Sequence, residues 1–463
     1  MRTIYSLLIL IVASGPVVGQ ERLGLLDIYE LALANDPLIR EAEANFLAQS
    51  EVKAQARSGL LPTLSIGGSR GEGISSTDRP QDFLTGQPDP NILNTETDSE
   101  STSFNFTLSQ TVFDWGQYLS LKQADKTIAW AEVNLEAIRQ ELIIRVAIAY
   151  FSVLSAEDNL AAQNAALEAL RQQLEQTQRR FDVGLIAITN VQEAQAGYDQ
   201  AVADVIVSEQ QLSSAQESLR EIINGYALTL KSPIAELPLL TPEPNNVETW
   251  VDIAQSQNLA LVASRIDADI AQDGIQIARS SRFPRLSLSA NADDFSNTNT
   301  TDVNLVGGGL GPGSGVPRIS GGDRANISLN LSVPIFNGGL NRSRIQQQVF
   351  QHRAAVEGVE RITRQTERQT RDAFRNVTSD ISRIEALAQL VESSRSSLLA
   401  TQASEEVGQR TGVDVVIAQN NLSRAETSYA AARYQYLLDL LSLKQAAGNL
   451  TEDDLAQVEG WLE

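Results

Sequence analysis

The chain has 463 residues, 42% hydrophobic and 5% aromatic, which is thin for one compact core even though typical domain size divides it into about three domains. Lys and Arg total 36 against 58 Asp and Glu, and a formal charge of −22 argues against a nucleic-acid partner, whose phosphates need basic patches. The absence of cysteine excludes disulfides, thiolate metal sites, cysteine nucleophiles and a lipid on an N-terminal cysteine, and leaves His352 as the single imidazole.

Met1 and Arg2 precede an apolar run from Ile4 to Val18, with Val17-Val18-Gly19 at a cleavage site, so residues 1–19 read as a secretory signal. The run is too short to span a bilayer, and no later stretch approaches about 18 uninterrupted apolar residues. The mature chain then begins near Gln20 with a charge of −23, because Arg2 is the only charge removed. A helix is expected from Leu38 to Gly59, strands near 62–73 and 102–113 around an acidic loop from Glu72 to Glu100, and a helical hairpin over 115–224. A Pro-rich linker follows at 231–248, then strands near 285–295 and 325–336 around a glycine-rich loop from Asp293 to Asp323, a second hairpin over 338–447, and an acidic tail at 448–463.

This order is a duplication. Ala56 to Pro62 returns as Ala278 to Pro284, Phe113-Asp114-Trp115-Gly116 as Phe336-Asn337-Gly338-Gly339, and Val183-Gly184 as Val407-Gly408, at offsets of 222, 223 and 224. Asn35 and Pro37 have a weaker echo at Asn258. The repeats cover 20–230 and 249–447.

The long helices carry coiled-coil seams. Leu121, Ile128, Leu135, Leu142 and Ala149 are spaced by seven, and after a four-residue step Val153, Leu160, Leu167, Leu174 and Phe181 resume that spacing. The second copy runs Val349, Val356, Thr363, Thr370, Val377, Ile384, Val391 and Leu398 without a break. From Trp115 to Phe181 is 67 residues, roughly 100 Å at the α-helical rise.

The strand segments alternate with period two. Leu64 and Ile66, Phe104, Phe106 and Leu108, Leu286 and Leu288, and Ile327, Leu329, Leu331, Val333 and Ile335 share their runs with Asn, Ser and Thr. Alternation alone suits a soluble sheet packed on a helix equally well. The signal and the polar second face favour an outer-membrane barrel, one face on lipid and the other on a wet lumen. Four strands cannot close, and an open edge in hydrocarbon leaves backbone groups unpaired. The barrel is therefore shared: two chains give eight strands with a filled interior, three give twelve and a passage.

The run Arg180-Phe181-Asp182-Val183-Gly184-Leu185-Ile186-Ala187-Ile188-Thr189-Asn190-Val191-Gln192, the turn from Gly408 to Val415, Pro334-Ile335-Phe336-Asn337-Gly338-Gly339 and Leu61-Pro62-Thr63-Leu64 resemble the TolC-like outer-membrane efflux proteins over nearly the whole mature chain. The resemblance implies a mixed α/β membrane protein: a homotrimer whose twelve-stranded transmembrane β-barrel, four strands per chain, is continued by a long α-helical coiled-coil barrel across the periplasm of a Gram-negative cell. It implies no enzyme and no cofactor. The function it implies is a passive exit channel of a tripartite efflux pump or type I secretion system, opened by an iris-like movement of the periplasmic helices. Partners implied are outer-membrane lipid, a periplasmic adaptor (membrane fusion protein) docked on the hairpin tips at Val183, Gly184, Leu185, Val407 and Gly408, and an inner-membrane transporter of RND, ABC or MFS type. A periplasmic coiled-coil scaffold without channel activity is the alternative.

The family's periplasmic gate maps to Arg410 and Asp414 in the second hairpin. Thr189 is kept in the first, Asn190 stands where the family has an aspartate, Ile417 where it has a second aspartate, and Glu405 where it has a tyrosine. Independently of any gate, Thr189-Asn190-Val191-Gln192 and Thr411-Gly412-Val413-Asp414 both fit a helix capping box. Gly184 and Gly408 read as left-handed helix ends. Trp115 suits a membrane-interface anchor or plain helix packing, and His352 a packed or lumen-facing position. Ser50-Glu51-Val52-Lys53 spells S-x-x-K without its companion motifs and is read as chance.

Overall fold

A computed structural model describes residues 22–78, 84–87, 92–226, 229–234, 236–305, 315 and 317–463; the signal segment and residues 306–314 and 316 of the glycine-rich loop lie outside the described residues. The elements are α1 (Leu25–Asn35), α2 (Pro37–Ser58), β1 (Thr63–Asp78), β2 (Ile92–Phe113), α3 (Trp115–Asp182), α4 (Ile188–Ile223), α5 (Val247–Gln257), α6 (Leu259–Ser280), β3 (Arg285–Leu305), β4 (Arg318–Ser332), α7 (Leu340–Glu406), α8 (Gly412–Ala447) and α9 (Glu452–Glu459). They form two compact units that do not coincide with the repeats. One holds the residues up to Leu47, Trp130–Arg265 and Glu357–Glu463, the other Ala48–Ala129 and Ile266–Val356. No helix among the described residues is long and apolar enough to cross a membrane.

The second unit contains an antiparallel sheet in the order β1-β2-β3-β4, with β1 and β4 at its edges. The strands run further than expected from 62–73, 102–113 and 285–295. Pairing of β1 with β2 continues to Asp78 opposite Asn94, inside the stretch read as a loop. Thr95, Thr97 and Ser99 alternate there with Glu96, Asp98 and Glu100, a period of two written wholly in polar residues, which a hydrophobic pattern does not register. At the other boundary β4 spans 318–332 instead of 325–336 and stops two residues before Pro334, so Val333 and Ile335 lie outside it.

Register places Leu64 opposite Leu108, Ile66 opposite Phe106, Phe106 opposite Ala292, Ala290 opposite Ile327 and Leu286 opposite Leu331 on one face. Ile66, Ile327 and Leu331 on this face are 75%, 76% and 66% exposed. The opposite face is built from small polar side chains that bond to one another: Ser69 to Ser103 at 2.8 Å, Ser289 to Ser328 at 2.7 Å, Asn330 to Ser289 at 3.2 Å and Thr97 to Thr301 at 3.3 Å. Below the sheet Lys53 pairs with Asp125 at 2.7 Å, which accounts for the lysine of the S-x-x-K run.

The first unit carries the core, with Leu142, Val146, Tyr150, Phe151 and Leu154 of α3 packed among residues including Tyr436, Leu437, Leu441 and Leu443 of α8. Tyr150 is fully buried and its hydroxyl donates to the carbonyls of Leu23 (3.2 Å) and Lys231 (2.7 Å), tying the N-terminal segment to the linker. The tail expected to be merely acidic is α9, which packs on α1. Glu459 Oε2 accepts from the Leu25 N–H at 2.5 Å and so caps α1 from a distant part of the chain. Gly24 permits that approach, because a β-carbon there would lie 1.8 Å from Glu459 Oε1.

Of the heptad positions, Leu135, Leu142, Ala149 and Val153 are buried, as are Thr370, Val377, Ile384 and Leu398. Toward the α3 C-terminus the covered residues are instead Ala166, Leu170 and Thr177, with Leu160, Leu167, Leu174 and Phe181 half-buried; Val356 is exposed. His352 is half-buried on α7.

The two repeats solve the same junction differently. Asp36, between α1 and α2, is fully buried; its Oδ1 accepts from the Leu38 N–H at 2.6 Å and its Oδ2 from Arg145 Nη2 at 2.5 Å. Asn258, between α5 and α6, accepts from the Leu261 N–H at 3.1 Å and donates to the Ala446 carbonyl at 3.0 Å, needing no ion. Arg145→Met strands a buried carboxylate and should cost about 3 kcal/mol in urea unfolding. Adding Asp36→Asn, which copies the second repeat, should recover most of the loss.

Asp380 of α7 is buried, with Oδ2 lacking a hydrogen-bond partner among the described groups. Burial, then the facing Asp439 carboxyl of α8, push its pKa up to about 6 against a weaker opposing pull from Arg383. With the folded pKa above the unfolded one, stability is full below about pH 4 and falls as pH rises toward 6. The stability of Asp380→Asn relative to the native chain should therefore grow across that window, by on the order of 2 kcal/mol, and stay level above it.

Candidate functional site

The two hairpin turns lie in the helical unit and share one construction. Gly184 and Gly408 have φ of +78° and +75°, the left-handed region open to glycine. In the first turn the Gly184 N–H donates to the Phe181 carbonyl at 2.8 Å and Leu185 to Arg180 at 2.9 Å; in the second Gly408 donates to Glu405 at 2.9 Å and Gln409 to Ser404 at 2.8 Å. This pair of bonds satisfies the orphan carbonyls at each helix end and forces a reversal. It leaves Val183, Leu185 and Val407 about 70% exposed, an apolar tip on each hairpin.

Past the second turn Thr411 caps α8. Its hydroxyl accepts from the Asp414 N–H at 3.3 Å, while Asp414 Oδ2 accepts from the Thr411 N–H and hydroxyl at 2.9 Å each. Those bonds to Thr411, with Arg410 Nη1 3.6 Å away, hold the Asp414 carboxyl below the usual aspartate range. The capping box expected at Thr189 does not form. Helix α4 starts at Ile188 with Ala187 as its cap, so Thr189 is already helical and its hydroxyl donates to Asn190 Oδ1 at 3.4 Å. Among the described residues neither Thr189 nor Asn190 hydrogen-bonds Arg410, Asp414 or Glu405. Ile417 is 53% exposed.

The hairpins are joined instead through Glu405, whose Oε1 accepts from Arg180 Nη1 at 2.6 Å; the side chains are 13% and 26% exposed. Arg180 was visible in the sequence as the start of the first turn motif, but nothing in its own hairpin marks the partner 225 residues away.

The profile of the family described as outer membrane efflux protein matches residues 28–225 and again 250–449, the two repeats. The outer membrane protein TolC of Vibrio cholerae is 34% identical over 95% of this chain and 93% of its own length. The alkaline protease secretion protein AprF of Pseudomonas aeruginosa is 28% identical over 94% and 86%. In fold, the Campylobacter jejuni CmeC outer membrane channel superposes with a TM-score of 0.70 at 17% identity, over 94% of this chain and 89% of CmeC. With the family profile matched in both repeats and a curated relative at this identity over nearly its full length, the chain belongs to the outer membrane efflux protein family.

Proposed function

We propose that the protein is a passive outer-membrane exit channel for efflux or type I secretion, assembled as a homotrimer whose twelve strands form one barrel. The observation that carries this reading is the sheet: an exposed apolar face backed by a face made mostly of Ser, Thr and Asn, with β1 and β4 at its edges among the described residues. A scaffold has no use for such a surface, whereas lipid on one side and water on the other require it. Half-buried Leu160, Leu167 and Leu174 fit helices that are covered further by neighbouring chains. The exposed apolar tips at Val183, Leu185 and Val407, turned by Gly184 and Gly408, suit docking of a periplasmic adaptor linked to an RND, ABC or MFS transporter.

The gate is assigned to the second turn and its partner across the hairpins. Arg410 and Asp414 line the constriction beside Thr189 and Asn190, and the Arg180–Glu405 ion pair holds the two hairpins together where the family uses a tyrosine. Opening then separates Arg180 from Glu405. Partial exposure limits each pair to about 1 kcal/mol, and three copies sum to about 3 kcal/mol, roughly a hundredfold in the closed-to-open ratio.

Single-channel recording in planar bilayers tests both levels. Native protein should insert and conduct weakly at rest; Glu405→Gln and Arg180→Gln should each raise resting conductance, and the swap Arg180→Glu with Glu405→Arg should lower it again. Absence of conductance in all forms contradicts the channel, while conduction unaltered by the variants moves the latch to Arg410 and Asp414.

A further inference from the structure

In the sheet unit, charge is sorted between the two ends of the strands. In the sequence, the stretches 70–100 and 293–324, which hold the outer strand segments and their connections, carry eleven acidic residues and four arginines, a net −7. At the helix end the strand-to-helix junctions, residues 55–62, 114–118, 277–285 and 333–344, hold six arginines and one aspartate, a net +5 in a chain of −22. Arg285 is neutralised by Asp114 at 3.3 Å. The other five, Arg57, Arg279, Arg282, Arg342 and Arg344, are exposed, and their side chains make no ion pair or hydrogen bond among the described residues.

Aromatic side chains occupy the same level. Phe113, Trp115, Tyr118, Phe283 and Phe336 are all exposed, with Trp115 stacked on Tyr118 at 5.1 Å between centroids. Aromatic rings gather where apolar surface meets headgroups, and arginine beside them meets phosphate. Between the basic and acidic ends lies the apolar face, so a chain seated in a bilayer by that face presents arginine to one leaflet and carboxylate to the other.

We propose that Arg57, Arg279, Arg282, Arg342 and Arg344 form a belt that binds the phosphate headgroups of anionic phospholipids in the periplasm-facing leaflet. The inference rests on the channel reading, which sets the helix end of the sheet on the periplasmic side. The charge balance commits the belt to an anionic lipid: five unpaired cations gather in a protein otherwise rich in carboxylates, and free anions would be repelled by the rest of its surface. The belt fixes the depth and direction of insertion, because the opposite end of the sheet is unfavourable beside the same headgroups.

The test is lipid retention by the full-length protein after reconstitution into vesicles of phosphatidylcholine doped with phosphatidylglycerol. Gently extracted native protein should carry phosphatidylglycerol enriched about fivefold over the bulk lipid, falling to the bulk ratio at high salt. The variant with Arg57→Gln, Arg279→Gln, Arg282→Gln, Arg342→Gln and Arg344→Gln should float with the vesicles yet carry lipid at the bulk ratio. Native protein without enrichment, or an enrichment that survives in the variant, overturns the belt. Native protein that does not float with vesicles overturns the channel reading itself, a distinct result. If the variant fails to fold, the salt series on native protein decides alone: salt-sensitive enrichment supports the belt and salt-insensitive enrichment refutes it.

Discussion

Among the described residues the outer edges of β1 and β4 pair with no further strand, and the exposed apolar face suits this sheet to hydrocarbon, where no water replaces the missing bonds. Each unsatisfied group costs several kcal/mol in such a medium, so an open sheet of long strands is untenable there. Closure by further copies of the chain removes both edges at once. In the proposed assembly the polar lining of Ser, Thr and Asn faces a passage, and the half-buried residues of the long helices are completed by neighbouring chains.

Duplication supplies the parts economically, and the differences between copies show where function or folding needs something particular. The hairpin turns are nearly identical in backbone, both ended by a left-handed glycine, and each exposes an apolar tip. The residues around them diverge: Thr411 caps α8 with Asp414, while α4 is capped by Ala187 without a side chain. An asymmetric pair of hairpins can be joined by a bond made from one member of each, and Arg180 with Glu405 is such a bond. The Asp36 and Asn258 junctions diverge in the same way, one using a buried ion pair and the other backbone partners.

Much of this was legible in the sequence where one physical signal repeated. Sevenfold spacing marked the long helices, the near-constant offset marked the duplication, and Gly184 and Gly408 marked the reversals. What escaped depended on contacts between distant segments or on patterns without hydrophobic contrast. The strand extensions through Glu96, Asp98 and Glu100 alternate polar with polar, and α9 reveals its purpose only when Glu459 reaches the start of α1. The capping box at Thr189 obeyed the local rule and did not form, since Ala187 already turns the chain one residue before Ile188. The link from Arg180 to Glu405 has no local signature at all.

The central claim is that one chain holds only part of a barrel and becomes a channel by sharing its sheet edges. Native mass spectrometry of the intact protein extracted from membranes in mild detergent tests it most directly. Three chains per particle, with no stable lower species, is the result the account predicts. A folded, membrane-extracted single chain would contradict it, because β1 and β4 would then have no partner in lipid.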